Sequence, residues 1–179
     1  MPPIILKYVR FVDRLNRVIG RLAMLLIFAM IGILLYSSIT KTFFLPSLWT
    51  LEMAQFVMVA FYLLGGGYSL QLDSHVRMDL LYGRWSPRTR AIIDVFTVFF
   101  LLFYLVLLLY GGFSSTAYAL KYGEESYSAW APSMAPIKII MCIGIFLMLL
   151  QAIAMFFRDL ATVMGRPIAG AHLDEVTLV

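Results

Sequence analysis

The sequence predicts an all-α integral membrane protein: four transmembrane helices, both termini cytoplasmic, with an N-terminal amphipathic interfacial helix. Three observations carry that prediction. Hydrophobic residues make up 62% of the chain and charged residues only 13%, a balance that a water-facing globular surface does not have. Four apolar runs, residues 22–39, 48–72, 91–120 and 137–157, are each long enough to cross ~30 Å of hydrocarbon as a helix. Eleven of the 14 Lys and Arg residues lie in alternate gaps between those runs, which fixes an orientation by the positive-inside rule.

The segment 1–21 precedes the first run and has its own pattern. Ile5, Tyr8, Val12, Leu15, Ile19 and Leu22 recur at helical spacing, and Lys7, Arg10, Arg14, Arg17 and Arg21 recur two positions out of step. Two positions are about 200° apart on a helix, so the two stripes face opposite ways. This segment is read as a helix lying in the cytoplasmic interface, its basic stripe anchoring the chain to anionic membrane lipids. The alternative is one long helix continuous with the first span, with the basic residues acting only as topology signals. The first run is read as a retained helix, because Tyr36-Ser37-Ser38-Ile39-Thr40-Lys41 at its end is a weak signal-peptide cleavage site.

Pro46-Ser47 introduces the second helix and Ser86-Pro87 the third, since serine caps free N–H groups and proline at the first helical position loses no bond. From Pro87 to Leu120 the third helix would be about 50 Å long. It must tilt, protrude or break near Gly111-Gly112. Pro132 and Pro136 bracket the start of the fourth helix, where Lys138 can snorkel to the interface. Arg77, Arg84, Arg88 and Arg90 between the second and third runs, and Arg158 and Arg166 after the fourth, mark the cytoplasmic side. Residues 158–179 form a cytoplasmic tail. Trp49, Trp85 and Trp130 fall near the membrane interfaces as anchors.

The interiors of the spans carry little chemistry. Glu52 and Gln55 lie near the outer end of the second helix, Asp94 near the inner end of the third and Gln151 near the inner end of the fourth. Glu52 either bonds a partner helix or carries a proton, or it is a first-turn acid that complements the helix dipole. Asp94 stands four residues after Arg90 and suits a local ion pair. Gly65, Gly66 and Gly67 give the second helix a smooth patch for close helix packing, within the bundle or against another protein. Cys142 is the single cysteine, which excludes an internal disulfide, and His75 alone cannot hold a haem or a metal centre. With no phosphate-binding glycine loop, no nucleophile beside a histidine base and no carboxylate pair, enzymatic activity is not expected. The basic residues are assigned to lipid and topology, not to nucleic acid.

The second span and its exit, from Trp49-Thr50-Leu51-Glu52 through Gly65-Gly66-Gly67 to His75-Val76-Arg77-Met78-Asp79, followed by Ser86-Pro87, carry a family resemblance. Over about residues 5–165 the chain resembles the small membrane subunit of tripartite ATP-independent periplasmic (TRAP) transporters, the DctQ type. The resemblance implies a multi-pass protein of the bacterial inner membrane. It implies two partners: a large TRAP membrane subunit that carries the transport machinery and the sodium ions, and a periplasmic substrate-binding protein. No cofactor is expected in this chain. The small subunit would stabilise the large one and help to dock the binding protein during sodium-driven uptake of an organic acid or related solute.

On that resemblance, Trp49, Glu52, Gln55, Gly65, Gly66, Gly67, His75 and Asp79 are candidate contacts for the large subunit. Lys121, Glu124 and Glu125, in the outer loop, are candidate contacts for the binding protein. The rival reading is a self-contained homo-oligomeric four-span transporter or channel using Glu52. A sensor or assembly factor unrelated to transport is a third.

Overall fold

Four helices account for most of residues 3–72 and 87–164, the residues described by the computed structural model of the chain. Helix α1 spans Pro3–Phe43, α2 Thr50–Gln71, α3 Pro87–Tyr122 and α4 Ala135–Val163. Among the described residues, all four are long and apolar enough to cross a membrane. The first and third exceed the thickness of a bilayer, at roughly 60 and 54 Å for 1.5 Å of rise per residue.

The segment expected to lie apart as an interfacial helix is instead the first part of α1, which runs without interruption for 41 residues. Two causes are visible. No proline or turn sequence interrupts the chain after Pro3, and the apolar side of the segment is covered by α4. Val9 and Val12 form a core cluster with Ala154, flanked by Ile5, Tyr8, Leu150 and Phe157. The pattern of two opposed stripes holds in part: Lys7, Arg10, Arg14 and Arg21 are exposed and Arg17 is half-exposed. The apolar stripe itself is rotated from the expected one. Val9, Val12, Asn16, Gly20 and Ala23 are buried, whereas Leu22 is 60% exposed.

Helix α3 is likewise unbroken through Gly111-Gly112. Gly112 does not kink the helix; it makes room for α4, since a Cβ there would lie 3.2 Å from the Cys142 sulfur. At its end, Gly123 adopts φ +63° and the Glu124 N–H bonds the Ala119 carbonyl at 3.2 Å. This is a Schellman stop, in which a residue able to take the left-handed conformation satisfies the last carbonyls. The chain then forms a short hairpin, with Ser126 N–H on the Pro132 carbonyl (3.0 Å) and Met134 N–H on the Glu124 carbonyl (2.9 Å), before α4 begins.

Helix α2 sits between α1 and α4, and α3 packs along α4 alone, with at most a marginal contact elsewhere. Close backbone approach explains the order. Gly20 of α1 faces the Tyr68 side chain of α2, and Gly144 of α4 faces Leu63, where a Cβ would come within 2.7 Å of Leu63 Cβ and 2.8 Å of its backbone carbon. The second core cluster, Leu105, Ile145 and Ala152 with Leu63 and Met148 packed against it, joins α3 and α2 through α4. Tyr8 meets Phe157 edge-on, so the start of α1 and the end of α4 share one end of the bundle, called the terminal end below. There α1 and α4 continue together past the last turn of α2.

Candidate functional site

Toward the terminal end, beside the last turns of α2, the facing sides of α1 and α4 carry polar groups that would be costly if left unpaired. Asn16 and Gln151 are fully buried and Asp13 is 8% exposed. Asn16 Nδ2 donates to Gln151 Oε1 at 2.9 Å and to its own helix at the Val12 carbonyl, 3.2 Å away. Gln151 Nε2 donates to Asp13 Oδ1 at 3.0 Å, and Arg158 donates to the other oxygen of Asp13 in an ion pair. Tyr8 adds a bond to the Leu150 carbonyl at 3.1 Å. Asn16 Oδ1 has no donor among the described residues and rests on Gly67, where an added Cβ would push the Asn16 amide out of place. Each amide thus donates a bond across the interface, and the aspartate accepts from a neutral and a charged group. The result is a charge-assisted network that fixes the register of α1 on α4.

Sequence reasoning missed this network. The sequence pattern marks Gln151 only as a polar residue near a helix end and Arg158 only as an orientation signal, and it does not single out Asp13 or Asn16. A signal existed. Asn16 falls in the series Val9, Val12, Asn16, Gly20, Ala23, and a buried polar residue on an apolar face calls for a partner.

At the opposite end, the head of α2 is tied to α1 by hydroxyl groups. Thr50 is fully buried, donates to Ser37 Oγ at 3.0 Å and shares a 2.9 Å bond with Ser47 Oγ. Trp49 is 38% exposed and lies 5.7 Å from the Tyr36 ring. Glu52 is half-buried in the first turn of α2; its Oε2 is shielded and has no hydrogen-bond partner among the described residues. Gln55 is exposed. The glycine run is used mainly inside the bundle: Gly66 packs under Met148 of α4 and Gly67 under Asn16 of α1, and only Gly65 has open space around it. His75 and Asp79 lie outside the described residues, as do the side chains of Arg90 and Asp94.

The outer-loop candidates separate in the same way. Lys121 and Glu125 are exposed, and Lys121 lies over the ring of its neighbour Tyr122. Glu124 is turned inward and forms an ion pair with Lys138, so this lysine closes the hairpin onto α4. Deeper in the bundle, Thr116 of α3 donates to its own Gly112 carbonyl at 2.8 Å and to the Lys138 carbonyl of α4 at 3.3 Å. Among the described residues, no Asp, Glu, Lys, Arg or His lies mid-way along the apolar runs 22–39, 48–72, 91–120 and 137–157.

Against known proteins, a family model described as tripartite ATP-independent periplasmic transporters, DctQ component, matches residues 30–162. A search of curated proteins finds no match. The matched region contains the α1–α2 hydroxyl cluster, the glycine run, α3, the hairpin between α3 and α4, and the α4 half of the polar network. With four apolar helices, and with a family match over well over half of its length, the chain belongs to the DctQ component family: it is the small, multi-pass permease subunit of a TRAP transporter.

Proposed function

We propose that this subunit is a passive scaffold for a sodium-driven TRAP transporter, with both termini in the cytoplasm. It stabilises the large transport subunit in the inner membrane and offers the outer hairpin as part of the docking surface for the periplasmic binding protein. An organic acid or related solute is the cargo. The observation that carries this reading is where the polar groups of the described spans go. Asp13, Asn16, Gln151 and Arg158 bond one another, the hydroxyls of Ser37, Thr50 and Thr116 go to helix contacts, and among the described residues no Asp, Glu, Lys, Arg or His lies mid-way along an apolar run to form a solute route.

A self-contained transporter would need such a route. The decisive test reconstitutes the purified chain in liposomes under a sodium gradient. No uptake is expected from the chain alone, and uptake should appear when the large subunit and the binding protein are added. Uptake by the chain alone would overturn the scaffold reading.

Glu52 is assigned a contact with the large subunit, because its shielded oxygen lacks a donor within the described chain and a buried acceptor without a donor costs about 1–3 kcal/mol. Both Glu52→Gln and Glu52→Ala should reduce co-purification of the large subunit several-fold, with folding retained. Unchanged co-purification together with unchanged transport would remove Glu52 from the interface.

A further inference from the structure

The structure contains one feature that the scaffold role does not use. A groove of about 560 Å³ runs between α1 and α2 toward the terminal end, walled by Gly20 and Met24 on one side and by Phe61, Gly65 and Ser69 on the other, with Met148 of α4 also contributing. Its volume falls in the ~300–1,000 Å³ range of small-molecule sites. The lining is apolar apart from hydroxyl groups, and Gly65 keeps the α2 wall bare, with nothing within 4 Å of its missing Cβ.

The groove's size and its surroundings identify the occupant. A helix with its side chains is ~10–12 Å across, so little more than one turn of a protein helix would fill this volume. A flexible hydrocarbon chain fits as a thread. The α1 wall also has a charged continuation: Arg17, Arg21 and Met24 follow one another at intervals of four and three residues, which aligns them along one side of the helix. Both arginines stand nearer the terminal end than Met24, and helical side chains lean toward the helix N-terminus. Their guanidinium groups therefore extend beyond the apolar groove toward the membrane surface, as long basic side chains do when they snorkel. Arg21 is exposed and Arg17 half-exposed.

We propose that the α1–α2 groove is a binding site for one anionic phospholipid, an acyl chain lying over Gly65 and the phosphate held by Arg17 and Arg21. This deepens the lipid-anchoring role given to the basic stripe and rests on it, but it assigns different work to the two ends of that stripe. Arg17 and Arg21 grip a particular lipid. Lys7 and Arg10, two or more turns away, contribute only diffuse attraction.

The test is native mass spectrometry of the full-length chain titrated with phosphatidylglycerol or phosphatidylcholine of matched acyl composition. The wild type should retain one phosphatidylglycerol per chain in preference to phosphatidylcholine. Arg17→Gln/Arg21→Gln should lower phosphatidylglycerol affinity roughly tenfold and abolish the preference. Gly65→Leu, placed where a side chain meets open space, should block retention of either lipid while leaving thermal stability unchanged. Lys7→Gln/Arg10→Gln should leave the tight site intact. Equal losses from the two arginine-containing double variants would overturn the site and leave the general anchoring role standing. No loss from either would overturn both. If Gly65→Leu leaves lipid retention intact and instead weakens co-purification of the large subunit, the groove belongs to that protein and the lipid proposal fails.

Discussion

The two longest helices, α1 and α3, stand at opposite edges of the bundle and are held in opposite ways. Helix α1 is bonded to α4 through Asp13, Asn16, Gln151 and Arg158, and to α2 through Ser37 and Thr50. Helix α3 has α4 as its main neighbour, and that contact is chiefly apolar: Leu105 on Ile145 and Gly112 against Cys142, with Thr116 adding a polar bond. Lipid tails are as apolar as leucine, so burying leucine between helices in a bilayer gives little net drive; directional bonds and close small-residue fits decide which contacts persist. The α1 edge has both kinds of device. The α3 edge relies on fit, and its outward face, with Phe96, Phe99, Phe100 and Phe103 more than half exposed, is free to meet lipid or another protein.

The largest effect should come from breaking the α1 edge at its charged bond. Asp13→Ala removes a carboxylate partner of Arg158 in a mostly buried position and the acceptor of Gln151, and breaking such a buried pair costs up to about 3 kcal/mol. Thermal unfolding of the purified chain in detergent should show a correspondingly lower midpoint. The exchanged pair Asp13→Arg/Arg158→Asp should recover a substantial part of the loss, because the attraction survives reversal while the amide contacts of Gln151 adjust. If Asp13→Ala unfolds at the wild-type midpoint, the network does not hold α1, and the contrast between the edges disappears.

Glycine substitutions should sharpen the contrast by giving opposite signs. In Gly144→Ala the new methyl meets both the side chain and the backbone of Leu63, so α2 and α4 must separate, at a cost of about 1–3 kcal/mol for overpacking. In Gly111→Ala, on α3, the methyl meets nothing within 4 Å and replaces a residue that costs a helix interior about 0.5–1 kcal/mol. The first variant should unfold more easily in detergent and the second less easily. Equal behaviour would mean that α2 and α4 are not in the close contact described.

The same contrast explains what the sequence made legible. Four long apolar helices and the family were readable because length and apolarity are local properties, and the Trp49–Glu52 and glycine signatures lie in one continuous stretch. The continuity of α1 was not readable, because an amphipathic helix looks the same whether its apolar face meets lipid or a neighbouring helix. What decides between them is α4, far away in sequence, whose Gln151 and Arg158 complete the bonds of Asn16 and Asp13. The internal use of Gly66 and Gly67 was hidden for the same reason. A bare helix surface announces a close neighbour without saying which. Glu52 remained open in the sequence between a dipole-complementing acid and a contact group, since both readings need only its place in the first turn.

The smallest effect belongs to the hairpin at the opposite end. Glu124 and Lys138 are paired but partly exposed, and exposed or half-exposed pairs contribute about 0–1 kcal/mol. Glu124→Gln should therefore lower the unfolding midpoint only slightly, and less still at high ionic strength, where the pair is screened. Its neighbour Glu125 points to solvent, so Glu125→Gln should leave stability unchanged at any salt concentration. On the proposed docking role, the two acids should act in different ways on association of the binding protein. Loss of Glu125 removes a surface charge and should slow association most at low salt, whereas loss of Glu124 loosens the hairpin that positions the surface and should weaken docking with little salt dependence. Measuring binding-protein association to the assembled transporter across ionic strength separates the two. If both variants show the same salt response, Glu124 acts as a surface charge, and the ion pair with Lys138 does not shape the hairpin.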